Sequence, residues 1–330
     1  MLDTRRRKVV AAAGCSLTTL LPAALWAQQP GRVYRLGWVG TTSPRGEVYN
    51  VAFVTRLEEL GFVQGRNLKF VIPESQVRPD AIDAVAKELA NGRCDLIFAA
   101  GNETNLRAAE RAMAVAPIVI VSNDYDPVGT GHVNSMARPG GRITGVSQLQ
   151  GELPAKRLEV LREMLPGVHR VAVLGDVATR GQLQVTRDAA VKLGMQLVTH
   201  EFDKPPYDVA AAFALFARAK AEALVPLASG YFVSARKVII ELARQYRLPA
   251  IYNNVVWVEL GGLLSYGPNF SASYRRAAEQ VAKILNGADP AEMPIEQPNS
   301  VEMALNLKTV RALGLNPPRS IVLRADRVIE

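Results

Sequence analysis

The stretch that decides the fold runs from Arg93 to Ser147. It reads CDLIFAAGNETN over 94–105, PIVIVSNDYDPVG over 117–129 and GGRITGVS over 140–147. Three apolar runs, Leu96–Ala99, Ile118–Val121 and Ile143–Val146, each give way at once to small and polar residues. Short continuous apolar runs bounded by turn residues predict strands buried on both faces of a parallel sheet. In such sheets ligands gather at the carboxyl ends of the strands. Gly101, Asn102, Asn123, Asp124 and Ser147 are therefore expected to open onto one crevice.

Working outward, Arg35–Val39 predicts a first strand, and Gly40–Pro44, with Thr42 and Ser43, its loop. Val48–Leu60 carries Val51, Val54, Leu57 and Leu60 at helical spacing. Leu68–Ile72 predicts a second strand and Pro79–Ala90 a second helix, which completes a five-stranded βα series. The order then begins again. Val171–Leu174 echoes the first strand, with Gly175-Asp176-Val177 as its loop, and KLGMQLVTHEF (192–202) echoes ELGFVQGRNLKF (59–70). KAEALV (220–225) matches RCDLIF (93–98), LPAIYN (248–253) matches APIVIV (116–121), and GGLLS (261–265) matches the run from Gly140. Several matches in one order imply two similar Rossmann-like lobes with parallel sheets, an α/β architecture joined by a multi-strand hinge. Boundaries are expected at 31–146 plus 266–290 for lobe one and 147–265 plus 291–330 for lobe two. Strand ends that face each other across a hinge make a cleft that can close. Asp176, Ser229, Tyr252 and Asn253 are the lobe-two counterparts of the residues above.

The chain has 330 residues, 48% of them apolar, enough for two cores. Residues 1–27 read as a signal peptide: Arg5–Lys8 is a charged n-region, Val9–Trp26 an impure apolar h-region, and Leu25-Trp26-Ala27 the end. That predicts export to the periplasm, by the Sec route or by the twin-arginine route that Arg6-Arg7 resembles. The mature chain is then expected not to span a membrane. The first eight residues hold an excess of three positive charges, which taken from the formal +8 leaves +5, spread without a basic run. No Lys/Arg stripe with interleaved aromatics is present, so nucleic acid is not an expected partner.

Cleavage after Ala27 leaves one cysteine, Cys94, which offers neither an intrachain disulfide nor a metal cluster. Gly37, Gly40 and Gly46 lack dinucleotide-turn spacing, and Walker A, HExxH and G-x-S-x-G are absent. The histidines, His132, His169 and His200, are scattered, and no nucleophile–base pair can be assembled. No catalytic residue, metal ligand or cofactor is assigned.

Longer segments carry a family resemblance. GRVYRLGWVG (31–40), DPVGTGHVNSMARPGGRITGVS (126–147), KRLEVLREMLPGVHRVAVL (156–174), LPAIYNNVVWVELGGLLSYGPN (248–269), RRAAEQVAKILNGADPAEMPIEQP (275–298) and NLKTVRALGL (306–315) together resemble the ABC-transporter substrate-binding proteins of the tryptophan/tyrosine-binding type. The resemblance covers nearly everything from Val33 to Glu330. It implies a type I periplasmic binding protein: two lobes, three crossovers, an amino acid or related small carboxylate closed between them, and delivery to an ABC permease with its ATPase. It implies no enzymatic step, and a monomer is expected.

Relatives commonly show Gly-Thr or Gly-Ser where this chain has Asn102-Glu103, and an acidic Pro-Asp-Pro turn where it has Ala228-Ser229-Gly230. Backbone N–H groups at that first helix start can still hold an anion, while Glu103 in a pocket would favour an ammonium. A periplasmic sensing domain for a membrane signalling partner uses the same fold and is the alternative reading.

Overall fold

The computed structural model describes residues 31–40, 42–75, 81–123, 125–148, 151–298 and 300–330. The expected signal peptide at 1–27 and the site residue Asp124 lie outside the described residues.

Lobe one runs β1 (Tyr34–Val39), α1 (Val48–Glu59), β2 (Leu68–Val71), α2 (Ile82–Asn91), β3 (Leu96–Gly101), α3 (Glu103–Ala112), β4 (Ile118–Ser122) and β5 (Ile143–Ser147). The five strands are parallel in the order β2-β1-β3-β4-β5. That doubly wound order reverses between β1 and β3, where a crevice opens at the strand ends. The apolar runs are strands for the expected reason. Leu96, Phe98, Val119 and Val121 point into one core and Ile97, Ala99, Ile118 and Ile120 into the other, so helices cover both faces. The sheet closes tightly at β5. A Cβ on Gly145, whose φ is +144°, would stand 2.1 Å from the Ile120 carbonyl oxygen.

Lobe two follows with α4 (Leu153–Met164), β6 (Arg170–Asp176), α5 (Arg180–Leu193), β7 (Gln196–Phe202), α6 (Val209–Arg218), β8 (Ala223–Pro226), α7 (Gly230–Gln245), β9 (Ile251–Tyr252), α8 (Val255–Glu259) and β10 (Leu264–Pro268). β6 lies between β7 and β8, a Leu224–Ala250 bridge joins β8 to the β9 side, and β10 pairs with β9. The resulting order β7-β6-β8-β9-β10 repeats that of lobe one.

The remaining elements are α9 (Phe270–Leu285), β11 (Val301–Asn306), α10 (Leu307–Leu313), α11 (Arg319–Arg324) and β12 (Arg327–Ile329). β11 adds antiparallel to β10, and β12 parallel to β11, so the carboxyl end widens the second sheet. α9 goes the other way. Its Tyr274, Ala277 and Val281 join Phe53 and Leu57 of α1 in the core of lobe one. α4 makes the reverse exchange, placing Leu158 and Leu161 against Val171 and Val173 of lobe two.

The crossings differ slightly from those expected at residues 266 and 291. β10 stays in the second sheet to Pro268 because its backbone pairs with both β9 and β11. On the return, Ile295 is buried in lobe one and Glu296 bridges to Val146, so the chain leaves that lobe only after Glu296.

Candidate functional site

Two helix starts meet between the lobes. β3 ends at Gly101, whose φ of +116° turns the chain sharply into α3. Asn102 caps that helix, its side-chain oxygen accepting from the Asn105 N–H at 3.2 Å. In lobe two, β8 runs through Ala228 to Ser229, which caps α7 by accepting from the Tyr231 N–H at 3.2 Å. The Ser229 hydroxyl itself donates to the buried Asp176 carboxylate, which also accepts from the Tyr207 hydroxyl at 3.3 Å. A Cβ on Gly230 would lie 3.5 Å from Asn102 Nδ2, so the two starts face each other closely. Each brings free N–H groups and the positive end of a helix dipole to the same place.

They open on a cleft cavity whose space, open solvent included, is about 660 Å³. Lobe one contributes Gly101, Asn102 and Asn123, and lobe two Ala228, Ser229, Gly230, Val233 and Arg236. Asn253, Asn254, Val256 and Trp257 supply a further wall. The last wall is aromatic: Tyr49 of α1 with Phe270 and Tyr274 of α9, ring centroids 5.7 and 4.8 Å from Tyr49. Trp257 is held by stacking on Tyr252, with centroids 4.8 Å apart and planes 14° from parallel. Burial keeps the Tyr274 phenol well above its ordinary value, hence neutral.

Among the described residues, Arg236 carries the one formal charge on this lining. Its guanidinium reaches across to lobe one, where Nη2 meets Glu47 Oε1 at 2.5 Å, and Nη1 donates to the Val233 carbonyl at 3.2 Å. The Glu47 side chain is 6% exposed and that of Arg236 17%, so the pair is largely out of water.

The residues expected from the sequence separate into groups. Gly101, Asn102, Asn123, Ser229 and Asn253 line the cavity together. Asp176 stands behind Ser229, and Tyr252 behind Trp257. Thr42 and Ser43 do not line it; Asn50 Nδ2 donates to the Thr42 hydroxyl and the Ser43 carbonyl, both at 2.8 Å, and fixes the β1–α1 loop. Ser147 is buried, accepting from the Ser122 hydroxyl at 3.1 Å.

Glu103 also lies off the cavity lining, bound to Arg107 one turn on at 2.7 Å and to His132 at 3.0 Å. Burial works to raise the Glu103 carboxyl. The hydrogen bonds from His132 and Arg107 outweigh it and hold the group below its ordinary range. The opposite His132 ring nitrogen meets Glu110 at 3.1 Å. Tyr49, Val233, Arg236, Asn254, Val256, Trp257, Phe270 and Tyr274 were not singled out as ligand contacts. Apolar residues on amphipathic helices read as core, and only the start of α9 right after Gly267-Pro268 hints that Phe270 and Tyr274 sit at a strand end.

Among the described residues no helix is long and apolar enough to cross a membrane, and no group of three or more His, Cys, Asp or Glu side chains could hold a metal ion.

Two interlaced doubly wound lobes with facing helix starts over one cavity are the architecture of a type I periplasmic binding protein. The chain belongs to the ABC transporter substrate binding protein family, whose model matches residues 50–329. It is 24% identical over 266 residues to a tyrosine-binding protein of Clostridioides difficile, covering 80% of this chain and 75% of that protein. Among solved structures it resembles a conserved domain protein of Vibrio cholerae, with TM-score 0.79, 23% identity, and 90% of this chain and 99% of that one covered. An ABC domain of Streptococcus pneumoniae in complex with L-Trp aligns with TM-score 0.77 and 19% identity, over 90% of this chain and 100% of that one. The protein is accordingly a solute receptor of an ABC transport system, with a small molecule as its ligand.

Proposed function

We infer that the cavity takes a small carboxylate with an aromatic body, an aromatic amino acid foremost, and that the loaded protein docks on the permease of an ABC importer. One observation carries this reading: two helix amino termini, at Asn102 and Ser229, converge on a cavity otherwise walled by Tyr49, Trp257, Phe270 and Tyr274. The helix starts suit an anionic group. Aromatic side chains pair with a ring by stacked or edge contacts. The tyrosine-binding relative and the tryptophan-bound structure support the same class.

The location that goes with this role is the periplasm, reached by a mature chain that starts at Gln28 and works as a monomer with lobe one at 31–146 and 269–296. Calorimetry of the purified protein with L-tryptophan, L-tyrosine, benzoate and glucose, alongside mass spectrometry of any co-purifying molecule, tests the proposal. Micromolar or tighter binding of one of the aromatic carboxylates is expected, a free energy near −8 kcal/mol or beyond. A sugar or polyamine binding in their place would overturn it.

A further inference from the structure

Two side-chain atoms on the cavity residues lack what every buried polar atom needs. Among the described residues, Asn123 Oδ1 and Arg236 Nε are buried without a hydrogen-bond partner, and both residues belong to the cavity lining. Buried polar atoms are almost always matched, and an unmatched one calls for a specific explanation. Here one is an acceptor offered by lobe one and the other a donor offered by lobe two. Arg236 cannot turn its Nε elsewhere. Its two terminal nitrogens are committed to Glu47 and the Val233 carbonyl, which fixes the plane of the guanidinium. The backbone of Asn123 is held at the end of β4, its N–H donating to the Gly101 carbonyl at 3.0 Å.

The charge pattern narrows what would match them. Arg236 is neutralised by Glu47, so among the described residues the lining presents no net formal charge. A ligand with one donor and one acceptor at its polar end, and no net charge, meets both orphan atoms without burying an uncompensated ion. We propose that Arg236 Nε holds a ligand carboxylate and Asn123 Oδ1 a ligand ammonium, and that Asn123 thereby selects a ligand presenting both groups over one that presents a carboxylate alone. This rests on the reading of the cavity as the ligand site and decides between the amino acids and the plain carboxylates that it admits.

The test uses matched pairs that differ only in the amine: L-tryptophan with indole-3-propionate, and L-tyrosine with 3-(4-hydroxyphenyl)propionate. Calorimetry on the whole mature protein should show the amino acid of a pair binding about five- to a hundred-fold more tightly than its partner, the range for one unmatched buried hydrogen-bonding atom. Asn123→Leu should shrink that ratio below about threefold, while Asn123→Asp, which keeps the acceptor, should preserve or widen it. Arg236→Lys, which retains a cation for Glu47 and loses Nε, should weaken both members of a pair alike and leave their ratio standing. Thermal unfolding of each variant confirms that it is folded. Equal affinity within the pairs, or a ratio untouched by Asn123→Leu, overturns the assignment while the aromatic-carboxylate reading survives. Binding of neither member of either pair to the unmodified protein refutes that reading and this assignment together.

Discussion

Glu47 joins Arg236 across the cleft from 189 residues away in sequence, and replacing it with Gln isolates the energy of closure. Removing one partner of a buried ion pair costs about 3–5 kcal/mol when the survivor is fully desolvated. Arg236 keeps 17% of its side-chain surface exposed and retains the Val233 carbonyl, so about 2–3 kcal/mol is the better figure here. That cost falls on the closed arrangement, because hinge opening returns both side chains to water. At one decade per 1.4 kcal/mol, affinity for the ligand should drop about 30- to 150-fold. The unfolding temperature without ligand should hold, since in the open arrangement both side chains stand in water, where a substitution costs no more than about 0.5 kcal/mol. Calorimetry gives the first quantity, and scattering with and without ligand gives the compaction that should now need more ligand. Affinity within threefold of the parent, or an equal loss of stability without ligand, would show that the pair does not govern closure.

Three further outcomes follow from local geometry. Burial, with Asp326 nearby, pushes the Glu302 carboxyl up to about 7 from its ordinary 4.5. The native state thus holds a proton that the unfolded chain has lost, and stability declines as pH rises through the window from 4.5 to 7. Glu302→Gln should remove that slope, matching the parent in acid and exceeding it at pH 8 by about 1–2 kcal/mol once solvent screening of a half-exposed carboxylate is allowed for. Cys94, 4% exposed with its thiol pushed by burial to about 11, should resist a disulfide reagent at pH 8 and react fully on denaturation; stoichiometric labelling of the native protein within minutes would contradict this. Gly267→Ala should cost about 3 kcal/mol or more, because the new Cβ would stand 1.8 Å from the Asn253 carbonyl oxygen, whereas Gly181→Ala in α5, where nothing lies within 4 Å, should raise stability by about 0.5–1 kcal/mol in chemical denaturation.

The central strands were legible because each is buried on both faces, so Leu96–Gly101 and Ile118–Ser122 had to be apolar throughout. The internal echo then fixed the second lobe without further information. Placing residues at strand ends found Gly101, Asn102, Asn123, Ser229 and Asn253 on the cavity. Glu103 escaped that rule. As the first residue of α3 it turns along the helix flank to Arg107, and its other partner, His132, arrives from a loop at no fixed spacing. The aromatic wall was equally hidden. Tyr49 and Tyr274 show helical periodicity, which tells that a face is buried and not which body buries it.

The exchange of α4 and α9 between lobes has a consequence for the order in which the protein can be made. The last strand of the first sheet ends at Ser147, yet the helix that seals Phe53 and Leu57 from water begins only at Phe270 and is complete at Leu285. At ribosomal speeds of about 5–20 residues per second, that gap corresponds to roughly 7–28 s. Through that interval the nascent amino-terminal half presents the apolar face of α1 uncovered, a binding surface for holding chaperones. A protein wound in this way reaches its finished form only when almost all of it has left the ribosome.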